Sequence, residues 1–227
     1  MQVVEVNGKR YYLIDGRKYP SVTTVLSIIR SPALELWRGE LGNVEADRIR
    51  DEAAEIGIQL HRACYLFNKL QVPNATVDEL PPNSMFFAWP SVQVEQMFAA
   101  YRRWFDTCVE AVVATEVQVF NRQYGYAGTV DLLAILKGDE VPSVIDLKTT
   151  SGFWPDQPLQ LAAYREAWIQ NELQRGALVM SKNACRRLVV RIDKVEHDSV
   201  VVKEHTEHQR DFNGFLAALS LFRYFNR

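Results

Sequence analysis

Between residues 113 and 149 the chain carries three strand-like runs in close succession: VATEVQVF (113–120), YAGTVDLLAIL (126–136) and SVIDLKT (143–149). Each holds an acid inside apolar, β-branched sequence, and no other feature constrains the fold as strongly. Such runs read as buried strands, yet a carboxylate buried without a partner is costly. Side chains two apart on a strand share a face, so Asp146 and Lys148 point one way while Ile145 and Leu147 point into packing. Glu116, Asp131, Asp146 and Lys148 are therefore expected on neighbouring strands.

A single acid of this kind has an ordinary explanation, a salt bridge to Lys148 or a strand end reaching water. Two acids and a lysine with a third acid near them need a better reason, and a bound divalent cation supplies one. Hard cations take oxygen ligands and keep several waters, so two or three convergent carboxylates suffice. Such an ion acidifies water and stabilises negative phosphoryl charge. Lys148 beside it would orient or help deprotonate an attacking water and neutralise developing charge. Phosphodiester hydrolysis requires this division of labour.

The rest of the chain supports an α/β sheet covered on both faces. VVEV-NG-KRYYLI predicts a hairpin turning at Asn7-Gly8. Helix starts are expected at Ser21 and Ser31-Pro32. A long helix over about 43–70 is predicted from the spacing of Ala53, Ile56, Leu60, Cys64 and Phe67, and another over 92–111. The stretch 72–91 reads as a connection. A helix over about 157–174, strands at 176–181, 187–193 and 199–203, and a last helix from about 207 complete the pattern. The expected organisation is one domain over 1–227, with a hairpin and helical N-terminal lobe to about 111 and an α/β core from about 112.

A formal charge of −2 excludes holding nucleic acid by bulk positive charge, though not a local basic groove. Six basic residues stand against one acid between Arg175 and Lys194. Phosphate binding needs such a patch, and a charged edge strand looks the same. Arg30, Arg38, Arg48 and Arg50 lie among many acids, so the helical lobe is not a simple basic clamp. No run of 18 apolar residues is present and the opening MQVVEVNGKRYY has no leader-like pattern, which predicts a cytoplasmic protein with no membrane span. The three cysteines, Cys64, Cys108 and Cys185, are widely spaced and fit a reducing compartment.

GTVD (128–131) followed by D-L-K (146–148) resembles the PD-(D/E)XK nuclease superfamily. Gly57-x-x-x-His61 upstream and Gln160-x-x-x-Tyr164 downstream narrow the likeness to its RecB-like exonuclease branch. YPSVTTVL (19–26) also resembles a segment of the mitochondrial genome maintenance exonuclease and its phage and bacterial relatives. The resemblance implies a restriction-endonuclease-like core, a central mixed sheet flanked by helices. It implies that His61, Asp131, Asp146 and the Leu147 carbonyl bind one or two Mg²⁺ or Mn²⁺ ions. Lys148 would be catalytic, Glu116 an auxiliary acid, and Gln160 and Tyr164 would lie beside the nucleic acid. Some relatives hold an iron–sulfur cluster on four cysteines; three unclustered ones predict none here.

The implied activity is metal-dependent exonucleolytic hydrolysis of single- or double-stranded DNA ends in recombination, repair or replication. A non-catalytic binding module of the same fold, an endonuclease, and an unrelated protein with structural salt bridges remain the alternatives. Gly128 could mark a bulge, simply start a strand, or let a phosphate or metal site approach the backbone.

Overall fold

A computed structural model describes residues 1–29, 31–73, 90–174, 185–194 and 199–226. The predicted hairpin is present as β1 (Gln2–Val6) and β2 (Lys9–Ile14), and β3 (Arg17–Pro20) completes a small antiparallel sheet. Asn7 and Gly8 have φ of 52° and 70°, the primed turn whose twist matches the flanking strands. Ser21 caps α1 (Val22–Leu26) and Ser31 caps α2 (Pro32–Leu41), each through its hydroxyl. Pro32 occupies the first helical position, where a missing N–H breaks no hydrogen bond.

The long apolar stripe forms α3 (Asn43–Gln71), followed by α4 (Val92–Cys108). The helix expected to reach 111 ends early because Val109 opens β4 (Val109–Asn121). Val109 and Val112 are buried in that strand, and their branched side chains favour it over another helical turn. Then come β5 (Tyr126–Leu136), β6 (Ser143–Lys148), α5 (Gln157–Gln174), β7 (Arg187–Ile192), β8 (Val200–Glu204) and α6 (His208–Phe225). The strand expected at 176–181 and most of the connection at 72–91 lie outside the described residues.

The second sheet has the order β4-β5-β6-β7-β8. Its neighbours are antiparallel except β6 and β7, which are parallel and joined through α5. Alternation along β6 and β7 serves two cores. Val144 and Val189 pack with Leu161 and Ala167 of α5 and Phe215 of α6. Ile145, Leu147, Leu188 and Val190 pack with Leu60 and Phe67 of α3 and Met97 and Tyr101 of α4. This is the expected α/β class, a mixed sheet with helices on both faces.

The basic run resolves into internal ties. Arg186 pairs with Glu204 and Asp139, at 2.8 and 2.9 Å, and Arg191 with Asp193 at 2.6 Å. Arg187 is buried against Asp211 at 2.9 Å, and Lys194 donates to the Ala53 carbonyl at 2.8 Å. β7 is an interior strand, so for these four neither an open phosphate patch nor a charged edge strand describes their role. Arg175 and Lys182 lie outside the described residues. In the helical segment Arg38, Arg48 and Arg50 are likewise paired with neighbouring acids.

Candidate active site

β5 and β6 pair over three rungs, Leu132↔Ile145 to Ala134↔Ser143, and then separate. Asp131 turns its carboxylate into the split, where Oδ2 accepts the Leu147 N–H at 2.7 Å in place of the next rung. A residue's N–H and C=O leave a strand on the same side, so the Leu147 carbonyl faces the split as well.

The alternation of faces breaks at this point. Val130 packs in the α5 core and Leu132 in the α3–α4 core, although residues two apart on a regular strand share a face. Thr115 pairs with Leu132 and Val117 with Val130, which sets Glu116 opposite Asp131. Glu116 has φ of 50°, a left-handed conformation that costs a residue with a Cβ about 1–2 kcal/mol. Strain held at this position accompanies a convergence of side chains. One donor atom each from His61, Glu116 and Asp131 lies within 4.8 Å of the others, and His61 Nδ1 is 3.8 Å from Asp131 Oδ2.

Gly57 explains how α3 delivers His61. A Cβ there would stand 3.1 Å from Thr149 Oγ1, so the glycine lets the helix close on the end of β6 one turn before the histidine. On the other face Asp146 is 1% exposed. Its Oδ2 is 2.7 Å from Lys148 Nζ, and its Oδ1 accepts from Gln160 Nε2 at 2.8 Å. The same Gln160 amide donates to the Tyr164 hydroxyl at 3.1 Å. Gln160 and Tyr164, expected beside nucleic acid, are both buried, and Gln160 links Tyr164 to Asp146. The sequence-based expectation grouped Asp146 with His61 and Asp131 and left Glu116 as an auxiliary. The close trio instead contains Glu116, while both Asp146 oxygens face Gln160 and Lys148.

Gly128 is approached by the Tyr164 ring. An added Cβ would lie 3.1 Å from Cδ1 and closer still to Cε1. Gly128→Ala is expected to cost about 1–3 kcal/mol by overpacking. Because the displaced ring pulls on Gln160, it should also slow any reaction that depends on Asp146. Urea unfolding and turnover of the variant check both effects.

The site carries excess negative charge. Burial pushes the Asp146 carboxyl up, and Lys148 offsets this only in part. Burial works against the Lys148 ammonium, but the Asp146 and Asp131 carboxylates outweigh it and hold its pKa above the ordinary value. Desolvation, then the Asp131 charge, pushes Glu116 up to about 7. One imidazole nitrogen and crowded carboxylate oxygens suit a divalent cation, which would relieve that repulsion.

A measurable pH dependence follows. Partial desolvation, then the Asp131 charge, raises the Glu116 pKa to about 7 although part of its side chain reaches solvent, whereas an unperturbed glutamate titrates near 4.5. The metal-free protein should therefore lose stability as pH rises through that window. Thermal melts in EDTA should show a larger loss in wild type than in Glu116→Gln, where only the buried Asp146 carboxyl, raised as well, still contributes and does so at lower pH. Mn²⁺ should raise the melting temperature well above pH 7 and have little effect near 4.5, where protons compete for the ligands.

Among the described residues no helix is long and apolar enough to cross a membrane. Cys64 and Cys185 are buried thiols and Cys108 is partly buried. His208 and His205 are partly covered, and His208 Nε2 lies 2.8 Å from Glu166.

No curated protein matches the chain. The sequence profile of the PD-(D/E)XK nuclease superfamily matches residues 34–221. Nucleases of that superfamily typically use divalent metal ions to cut nucleic acid. The match runs through both strands of the split and the helices that furnish it on either face, and on that ground the chain belongs to the PD-(D/E)XK nuclease superfamily.

Proposed function

We propose that the chain is a metal-dependent DNA exonuclease of the RecB-like branch, hydrolysing phosphodiester bonds from strand ends with Mg²⁺ or Mn²⁺. The observation that carries this reading is the convergence of His61, Glu116 and Asp131 beside the Asp146–Lys148 pair. The motifs that mark the branch, Gly57-x-x-x-His61 and Gln160-x-x-x-Tyr164, sit on helices covering opposite faces of the sheet, yet both meet the split. Their convergence supports the branch, and by resemblance the exonuclease mode.

His61, Glu116, Asp131 and the Leu147 carbonyl would hold one or two ions, with Asp146 at their side. A divalent ion supplies Lewis acidity there, acidifying water and offsetting phosphoryl charge. Lys148, kept protonated by Asp146, orients the attacking water and meets the negative charge that develops on the phosphate. Gln160 holds Asp146 in register with Lys148, and Tyr164 braces Gln160. Residues 1–227 act as one nuclease unit in the cytoplasm, with the segment 20–111 shaping the path for strand ends. Recombination, repair and replication each present such ends.

The test is digestion of end-labelled linear single- and double-stranded DNA beside a closed circle, with Mg²⁺, Mn²⁺ or EDTA. Linear DNA should disappear only with metal while the circle persists. Cleavage of the circle would make the protein an endonuclease. Intact DNA in every lane at high protein concentration would leave a binding module.

A further inference from the structure

The N-terminal sheet lies outside residues 34–221, the span matched by the superfamily profile, yet it is packed onto the strands that carry the acids. Its register against them can be followed row by row. Ile14 shares a cluster with Ala127 and Phe120, which face each other across β4 and β5. Two residues back along β2, the Tyr12 hydroxyl is 2.8 Å from Thr129 Oγ1, and Thr129 faces Gln118. Side chains on one strand face recur every second residue. The next row therefore sets Arg10 beside Glu116 and Asp131. The electrostatics agree, since the Arg10 charge acts on Glu116 to favour its ionised form, against the desolvation and the Asp131 charge that raise its pKa.

Arg10 has no other use for its charge. Glu5 stands opposite it in the β1–β2 ladder, but no ion pair joins them. Among the described residues its guanidinium has no hydrogen-bond or salt-bridge partner. Its backbone is nevertheless clamped: the N–H donates to Thr24 Oγ1 at 3.0 Å, and the carbonyl accepts from Thr24 Oγ1 and the Ser21 N–H, each at 3.0 Å. A free guanidinium on a fixed backbone, at the mouth of an acidic site, suits a bidentate oxyanion. Lys148, a second basic residue at the site, is committed to Asp146.

We infer that Arg10 is a phosphate-binding residue of this active site, holding a backbone phosphate of the nucleic acid beside the Glu116–Asp131 pair. The inference rests on the nuclease reading and adds a substrate contact from a segment outside the family match.

Wild type, Arg10→Gln and Arg10→Lys are compared in four measurements. These are melting temperature, Mn²⁺ titration without DNA, cleavage of linear DNA, and binding of fluorescein-labelled linear DNA in Ca²⁺ across a salt series. Arg10→Gln should melt like wild type and bind Mn²⁺ as tightly or a few-fold more tightly, because a positive charge has left the site. It should bind DNA about 10- to 100-fold more weakly. Its log–log salt slope should fall by about one, the signature of a lost phosphate contact. Arg10→Lys should restore the slope and only part of the affinity. Equal cleavage and equal slopes for wild type and Arg10→Gln would overturn the assignment alone. A lowered melting temperature with weakened Mn²⁺ binding would make Arg10 a structural residue. A wild type that neither binds nor cuts DNA would overturn the nuclease reading, and this inference with it.

Discussion

Lys148→Ala should lower kcat for DNA cleavage by about 10²- to 10⁴-fold and weaken the fold in the same stroke. The two effects have one origin. Lys148 Nζ is 2.7 Å from Asp146 Oδ2, and the Asp146 side chain is 2% exposed. Removing the cation leaves a buried carboxylate with only the Gln160 amide to answer it. Breaking a buried ion pair from one side costs about 3–5 kcal/mol. The low end applies here, because Lys148 keeps some contact with solvent and Asp146 escapes part of the penalty by taking up a proton. A loss of activity in this variant alone would thus be open to a trivial explanation, partial unfolding.

The double variant Asp146→Asn/Lys148→Met separates the two. It removes both charges, keeps an acceptor for Gln160, and should recover most of the lost stability. It should recover none of the activity. Urea unfolding beside single-turnover cleavage checks the pair. Full stability with wild-type turnover in the double variant would sink the assignment of Lys148 as catalytic.

The largest loss of stability without a loss of chemistry is expected at Arg187. Its side chain is 2% exposed, it pairs with Asp211 of α6 at 2.9 Å, and it donates to the Pro158 carbonyl in α5 at 3.1 Å. One guanidinium therefore ties an interior strand to both helices of that face. Arg187→Met leaves Asp211 unpaired and the carbonyl without its donor, and should cost about 3–5 kcal/mol. The urea midpoint should fall with the slope unchanged. Adding Asp211→Leu should return much of the loss, since replacing a buried pair by packed apolar residues is often neutral or better. Turnover in the cold, where both variants remain folded, should stay within a few-fold of wild type, because neither side chain reaches the split. A cleavage defect matching that of Lys148→Ala would show instead that Arg187 belongs to the reaction.

These two residues also mark what could be read locally. Lys148 was legible because its meaning lies in its neighbours on one strand: an acid two residues away, on the same face, inside an apolar run. Arg187 was read as one charge in a basic stretch, and its actual partners come from residues 158 and 211. Gln160 and Tyr164 were legible as a spacing of four on one helix, but not as a brace beneath Asp146, because that needs α5 laid across β6. Gly128 was open to several readings until the Tyr164 ring stood over it.

Local chemistry alone determined the elements: the Asn7-Gly8 turn, the Ser21 and Ser31 caps, the apolar stripe of α3, and the three acid-bearing strands. Each is a pattern whose period or cap is satisfied within a few residues. Only the tertiary structure decided that β5 and β6 part after three rungs, that β5 loses its alternation at Asp131, and that Glu116 opposite it on β4 turns left-handed. It also brought His61 in over Gly57 and packed the N-terminal sheet, which carries Arg10, onto the acid-bearing strands. Those outcomes depend on which distant segments meet. A left-handed Glu116 is tolerated only where surrounding contacts over-determine it, and contacts of that kind leave no periodic trace in the sequence.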